Sequence, residues 1–278
     1  MGILFGLVAA ICFGLADFVV TQATRRIGVL QALAAIQLFG VLVVGGVLAL
    51  TEVSPPRSLA AWTFMAGISV VNFVGTLLLY RAFAIGTLSL VSPIASGFAV
   101  VTAVLALWGG ERLPLLTLLG TLLLILGVIV VSRARGSAGS SSLAGLPEAV
   151  GASICFGVYF WALNQITPAF GVLWPVWVTR LVQLLCALLV LGVRRSLKLS
   201  MKGRVAPLLL AAAVLDSGAL LAFNLGIGQT YTTITTALTA LYSAVTILLA
   251  WLFLHERLRM GQWIGVGITL AGVLLVSI

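Results

Sequence analysis

Charge is scarce in this 278-residue chain. Asp, Glu, Lys and Arg together make up 8% of it, and the only lysines are at 198 and 202. Water-soluble domains carry about 25% charged residues, so a soluble enzyme is excluded. An apolar content of 62% equally excludes a disordered chain. Histidine occurs once, at His255, too isolated for a metal site. The three cysteines, Cys12, Cys155 and Cys186, all lie in apolar runs and report packing rather than a disulfide framework or a metal centre. No catalytic residue, metal or cofactor is expected. The pattern G-x-x-x-x-G-K-[ST] is missing, which excludes an ATP-driven pump within this chain. The first apolar run has no basic segment ahead of it, and Ile11 before Cys12 argues against lipoprotein cleavage.

What the chain has instead is long apolar runs. Charges and turn residues mark out ten, near 2–22, 30–50, 60–82, 87–108, 114–132, 146–166, 170–192, 205–228, 232–253 and 260–278. A helix needs about 20 apolar residues to cross a bilayer. The expected class is therefore an all-α polytopic membrane protein with ten transmembrane helices. Strict polar/apolar alternation is absent, which excludes a membrane β-barrel. Very short connections, such as Ile85-Gly86-Thr87 and Gly228-Gln229-Thr230, predict tight helix hairpins. The segment 133–145 (RARGSAGSSSLAG) reads as a flexible linker between units 1–132 and 146–278.

Those units are repeats. Residues 9–24 (AAICFGLADFVVTQAT) and 152–167 (ASICFGVYFWALNQIT) agree at seven of sixteen positions at an offset of 143. The same offset pairs Gln37-Leu38 with Arg180-Leu181, and an offset of 145 pairs Glu111-Arg112-Leu113 with Glu256-Arg257-Leu258. Five spans per repeat is an odd number, so the two five-helix repeats must be inverted. Inverted repeats are a transporter architecture, with solute bound near the midplane between the halves.

The net charge of +9 reads as a topology signal, not as nucleic-acid binding. Twelve of the 15 basic residues fall at the loops after odd-numbered spans, Arg57 and Arg112 lie on the other side, and Arg180 is inside a span. The basic side should be cytoplasmic, which places both termini outside a plasma (inner) membrane of bacterial type.

With this pattern the sequence resembles the EamA family of the drug/metabolite transporter superfamily. The resemblance rests on the five-plus-five repeat, Gly110-Glu111-Arg112-Leu113, His255-Glu256-Arg257-Leu258, Tyr80-Arg81-Ala82 and the intramembrane Arg180. It implies a ten-helix secondary transporter with a central cavity lined by spans 1, 3, 4, 6, 8 and 9. Its members move amino acids, other metabolites and drugs. Gln37 stands where an arginine would be more usual, and typical members would have cytoplasmic termini.

Charges at a helix centre cost about 2.5–3.5 kcal/mol each by insertion scales, so they are functional candidates by default. Three occur: Asp17, Arg180 and Asp216. Arg180 and Asp216 sit near the middles of consecutive spans and can meet at one depth. Either they form a static pair, or Asp216 binds a proton or a cationic substrate, or Arg180 clamps a carboxylate. Asp17 shares a small-residue face with Gly6, Ala10, Gly14 and Thr21, which permits close helix approach. Its repeat partner is Phe160, so the halves differ chemically.

Uncharged candidates for a polar cavity are Asn72 and Tyr80 in span 3, Ser92 and Ser96 in span 4, and Tyr159, Trp161 and Asn164 in span 6. Asn224 in span 8 and Thr235, Thr239 and Tyr242 in span 9 complete the set. For a single Ser or Thr, a bond to nearby backbone is the competing role. Pro93 in span 4 should break the hydrogen-bond ladder and free a carbonyl, and Trp62, Trp174, Trp177 and Trp263 read as interface anchors.

The expected function is secondary transport of small organic solutes such as amino acids, as an exporter, with protons as the candidate coupling ion and spans 4 and 9 as the moving gates. The expected partners are the solute and the lipid bilayer, with a monomer or homodimer as the assembly. A lipid scramblase or a membrane-embedded sensor is the alternative; an intramembrane aspartyl protease lacks its second motif.

Overall fold

A computed structural model of the chain describes residues 1–51, 54, 57–110, 115–133, 144–194, 205–255 and 260–276. Every regular element among them is helical. The first repeat contributes α1 (Gly2–Ile27), α2 (Val29–Leu50), α3 (Leu59–Ile85), α4 (Leu88–Ala95), α5 (Phe98–Trp108) and α6 (Leu115–Arg133). The second contributes α7 (Leu146–Phe170), α8 (Leu173–Val193), α9 (Val205–Ile227), α10 (Thr232–Thr239), α11 (Tyr242–Phe253) and α12 (Met260–Val276). With α4–α5 and α10–α11 each taken as one segment, eight helices are long and apolar enough to cross a membrane. The remaining helices, α6 and α12, pack along each other. Both Glu-Arg-Leu turns and nearly all of the 133–145 linker lie outside the described residues.

Apolar and polar residues are distributed as a lipid environment demands. Leu42, Val104, Leu126, Leu185, Leu248 and Trp251 are exposed, whereas Gln37, Asn72, Arg180, Gln183 and Asn224 are buried. A helix in lipid satisfies its own backbone, so its polar side chains turn inward to find partners.

Each helix packs mainly on one from the other repeat. The α1–α9 contact has its counterpart in α7–α3, while α2–α8 and α6–α12 each pair a helix with its own equivalent. The repeats run in opposite directions. Gly2 at the start of α1 lies against the Gly226 carbonyl in the last turn of α9 and Thr230 just past its end. At the other end of α1, Arg25 donates through Nε to the Phe83 carbonyl (3.2 Å) and through Nη2 to the Gly86 carbonyl (2.9 Å). Gly86 in turn abuts the Ala144 carbonyl, just ahead of α7. Thus α7 begins where α1 and α3 end, close to Arg25, Arg26 and the Arg81–Glu148 ion pair (3.2 Å). This is the basic end of the bundle.

The crossing at the centre explains the glycine shared by the two repeats at 14 and 157. An added Cβ on Gly14 would stand 2.5 Å from Val245 Cβ and 2.8 Å from the Tyr242 carbonyl oxygen. One on Gly157 would collide with Val101 Cβ and stand 3.0 Å from the Phe98 carbonyl oxygen. Only glycine lets the helices approach so closely. Thr246 donates to the Gly14 carbonyl (3.4 Å), and Thr102 donates to the Gly157 carbonyl (3.1 Å). The two sets correspond, with Phe98, Val101 and Thr102 matching Tyr242, Val245 and Thr246 at an offset of 144.

Spans 4 and 9 break at equivalent points. The Ser96 and Gly97 amides bond back to the Ser92 and Ile94 carbonyls, and the Ala240 and Leu241 amides to those of Thr236 and Leu238. In each pair the second bond reaches three residues back, a 3₁₀ tightening of the helix. Pro93 stays inside α4, so proline is not the direct breaker. Span 9 breaks without one. The shared cause is the crossing itself, where α4 packs on α11 and α5 on α10.

Candidate functional site

Arg180 is held at the middle of α8 and is 3% exposed. Its Nη1 donates to Asp216 Oδ2 at 2.6 Å and to Gln37 Oε1 at 3.0 Å. Asp216 projects from α9 and retains 20% side-chain exposure. Gln37 comes from α2 and is the repeat equivalent of Arg180, so two matching positions meet across the repeat boundary.

The Arg180–Asp216 pair forms one wall of a cavity of about 70 Å³. Asp17 and Phe13 face it from α1, Asn72, Thr76 and Tyr80 from α3, and Tyr159 and Phe160 from α7. Gln183, one turn beyond Arg180, and Tyr242 also line it. Asp17 is 7% exposed, and its Oδ2 has no hydrogen-bond partner. The Tyr159 hydroxyl pairs with Thr179 Oγ1 at 2.9 Å, which in turn lies 3.3 Å from Ser69 Oγ. This chain of hydroxyls fixes the Tyr159 ring between α7, α8 and α3.

The lining residues of α1 and α3 lie from mid-helix toward the basic end, so the cavity occupies that half of the bundle. Aromatic rings close it at the midplane. Phe160 packs against Phe223 (4.4 Å), Phe98 (5.0 Å) and Phe13 (6.5 Å), and Phe98 stacks on Tyr242 (6.1 Å). Beyond this layer a second cavity is lined by Gly109, Trp161, Asn164, Gln165, Gln229 and Tyr231.

Of the sequence candidates, the structure brings Asp17, Arg180, Asp216, Asn72, Tyr80, Tyr159 and Tyr242 together in the first cavity. Trp161 and Asn164 belong to the second. Asn224 is fully buried and donates to the Val172 carbonyl (3.0 Å). Ser92 and Ser96 face the helix crossing: Ser96 donates to the Pro93 carbonyl (2.7 Å), and the Ser92 carbonyl accepts from Tyr242 (3.4 Å). Thr235 packs on Gly226 and, like Thr239, is fully buried. Trp62, Trp174 and Trp177, near the starts of α3 and α8, pack edge to face in a row. Sequence reasoning missed Gln37 and Gln183 as members of this polar cluster. Gln37 carried a signal in its pairing with Arg180, and Gln183 carried one in its i+3 spacing.

A family model for the EamA-like transporter family matches residues 1–133 and again 143–278. No curated protein matches the chain. Among solved structures, one described only as the crystal structure of a protein is similar, with TM-score 0.79 and 15% identity, covering 99% of this chain and 96% of that one. At that identity the likeness shows the fold alone. With both repeats matched over nearly the whole chain, the protein belongs to the EamA-like transporter family of the drug/metabolite transporter superfamily and is a multi-pass membrane protein.

Proposed function

We propose that the chain is a secondary transporter that exports small organic solutes, amino acids or related metabolites, by alternating access across the inner membrane. In this reading α6 and α12 complete ten spans, the basic end is cytoplasmic, and both termini lie outside. The observation that carries it is a charged cavity in one half of the bundle, separated from a second cavity by aromatic rings at the crossing of two interrupted helices. A polar cavity on either side of one closed layer is what alternating access requires. Interrupted helices at a repeat interface are also where transporters place their binding sites. Spans 4 and 9 are the moving elements, because their short α4, α5, α10 and α11 pieces rearrange by rotating about the 96–97 and 240–241 breaks.

Protons are the proposed coupling ion. Asp216 is held by Arg180, so Asp17, with its unpartnered oxygen, is the acid free to exchange a proton. The test is flux of labelled solutes in proteoliposomes, from a panel of amino acids, nucleosides and drugs, with and without a proton gradient. Solute movement that responds to the gradient is expected, with the response lost in Asp17→Asn. Movement of labelled lipid without movement of any solute would replace this reading with a scramblase.

A further inference from the structure

The ends of the bundle are built on two helix pairs, α1 with α9 and α3 with α7. Gly2, at the start of α1, rests on Gly226 and Thr230 at the end of α9. Its repeat equivalent is Gly145, ahead of α7, where an added Cβ would stand 2.9 Å from the Ala82 carbonyl oxygen near the end of α3. Ala82 corresponds to Gly226 at the offset of 144. The two pairs are therefore one packed unit made twice.

What joins unit to unit differs between the two ends. At the basic end Arg25, in the last turn of α1, reaches across to α3 and donates to the Phe83 and Gly86 carbonyls (3.2 and 2.9 Å). The Phe83 carbonyl is one of the four that the end of α3 leaves without a helical partner, and the negative end of the helix dipole lies there. At the far end the position equivalent to Arg25 is Pro168 in α7, whose side chain has no donor. The bond that α9 makes on that side, from Asn224 to the Val172 carbonyl, runs to the residue ahead of α8 and not to α7. Between α7 and the turn after α9 lies the second cavity, of about 680 Å³ against about 70 Å³ for the first. Asn164 and Gln165 of α7 line it, whereas their equivalents in α1, Thr21 and Gln22, are buried and half-buried.

We infer that Arg25 is a latch on the transport cycle. It ties the α1–α9 unit to the α3–α7 unit at the basic end, and so favours the state of this structure, wide at the far end and narrow at the basic end. Exchange between states rocks one unit against the other. Interchanging the roles of the repeats parts the ends of α1 and α3 and brings together those of α7 and α9. The Gly2 and Gly145 contacts lie within units and survive that motion. The two Arg25 bonds run between units and break. They are made in one state only, so they shift the balance toward it. The inference rests on the alternating-access reading and adds the residue that sets the balance of its two states.

The test is the distance between spin labels in liposomes, with Cys12, Cys155 and Cys186 replaced by alanine. One labelled pair, Arg26→Cys with Ile85→Cys, spans the basic end. The other, Gln165→Cys with Gln229→Cys, spans the far end. All four positions are exposed. In Arg25→Gln the long-distance fraction of the basic pair should rise at least threefold, and the short-distance fraction of the far pair should rise with it. Arg25→Lys keeps a charged donor and should fall between wild type and Arg25→Gln. Loss of a helix cap alone would loosen the basic pair and leave the far pair as it was. That result overturns the inference, as do unchanged distances at both pairs. Should the labelled proteins not fold, hydrogen exchange on unlabelled Arg25→Gln decides. Slower exchange at 229–232 is expected, and unchanged exchange there overturns the latch. Solute flux in the same liposomes separates the two readings. Wild-type flux with an unmoved far pair removes the latch and keeps the transporter, whereas reciprocal distance changes in a protein that moves no solute do the reverse.

Discussion

Removing either member of the Arg180–Asp216 pair should cost far more than removing both. Arg180→Met keeps the length of the side chain but strands Asp216 and leaves Gln37 Oε1 without its donor. Asp216→Leu strands a guanidinium that is 3% exposed, with Gln37 as its one remaining acceptor. Breaking a buried pair from one side typically costs about 3–5 kcal/mol. Asp216 keeps 20% side-chain exposure, so cavity water partly solvates it after Arg180 is lost. Arg180→Met therefore belongs near the lower figure and Asp216→Leu near the upper one. The double variant leaves only Gln37 unpaired, which costs about 1–3 kcal/mol. Summed singles of roughly 8 kcal/mol against a double of roughly 2–3 kcal/mol give a coupling energy on the order of 5 kcal/mol.

The assay is denaturant unfolding in detergent micelles, followed by circular dichroism, on the wild type, both singles and the double. The cycle isolates the pair from the loss of side-chain volume, which the singles and the double share. Additivity within about 0.5 kcal/mol would refute the reasoning, since independent sites add to that tolerance. A single as mild as the double would also refute it, because it would mean that the stranded charge finds another partner.

Gly14→Ala and Gly157→Ala should each destabilise by about 1–3 kcal/mol, because the new methyl meets a branched side chain and a carbonyl that cannot retreat. Gly218→Ala, in open space on α9, should be neutral or slightly stabilising in the same unfolding assay. Tyr159→Phe removes the hydroxyl paired with Thr179 and should cost about 0.5–1.5 kcal/mol, read as a lowered midpoint. Arg25→Gln removes two donors from the C-terminal carbonyls of α3, and hydrogen exchange in the last turn of α3 should quicken. Phe160→Ala opens the aromatic layer between the two cavities; liposomes carrying it should leak small solutes without a gradient, and liposomes as tight as wild type would show that other rings make the seal.

The spans were readable because hydropathy over about 20 residues is a strong signal in lipid. The apolar runs near 2–22 and 205–228 reappear as α1 and α9, α1 continuing to Ile27 and α9 ending at Ile227. The Arg180–Asp216 contact was legible from depth alone, since two intramembrane charges on consecutive antiparallel spans have few other partners. The position of the helix breaks was not. Pro93 marked the right span but the wrong residue, and Thr232–Phe253 contains no breaker at all. The interruption follows from which helix lies across it, and that information is held in no local stretch of sequence. The Ser92 and Ser96 pair of span 4 faces the helix crossing, whereas Asn72, Thr76 and Tyr80 of span 3 line the cavity. Hydroxyls of both sets bond their own helix, as Ser96 does to the Pro93 carbonyl and Thr76 to that of Asn72, so polar periodicity does not distinguish a cavity wall from a packed crossing.

The repeats agree where the chain must be built and disagree where the cavity has chemistry. Glycine stands at both 14 and 157, and threonine at both 102 and 246, because each helix crossing needs the same close approach and the same bond across it. At 37 and 180 the two equivalent side chains touch. Two arginines there would place like charges in contact, so glutamine opposite arginine resolves a conflict that symmetry itself creates. At 17 and 160 an acid faces an aromatic ring, one lining the charged cavity and the other closing it.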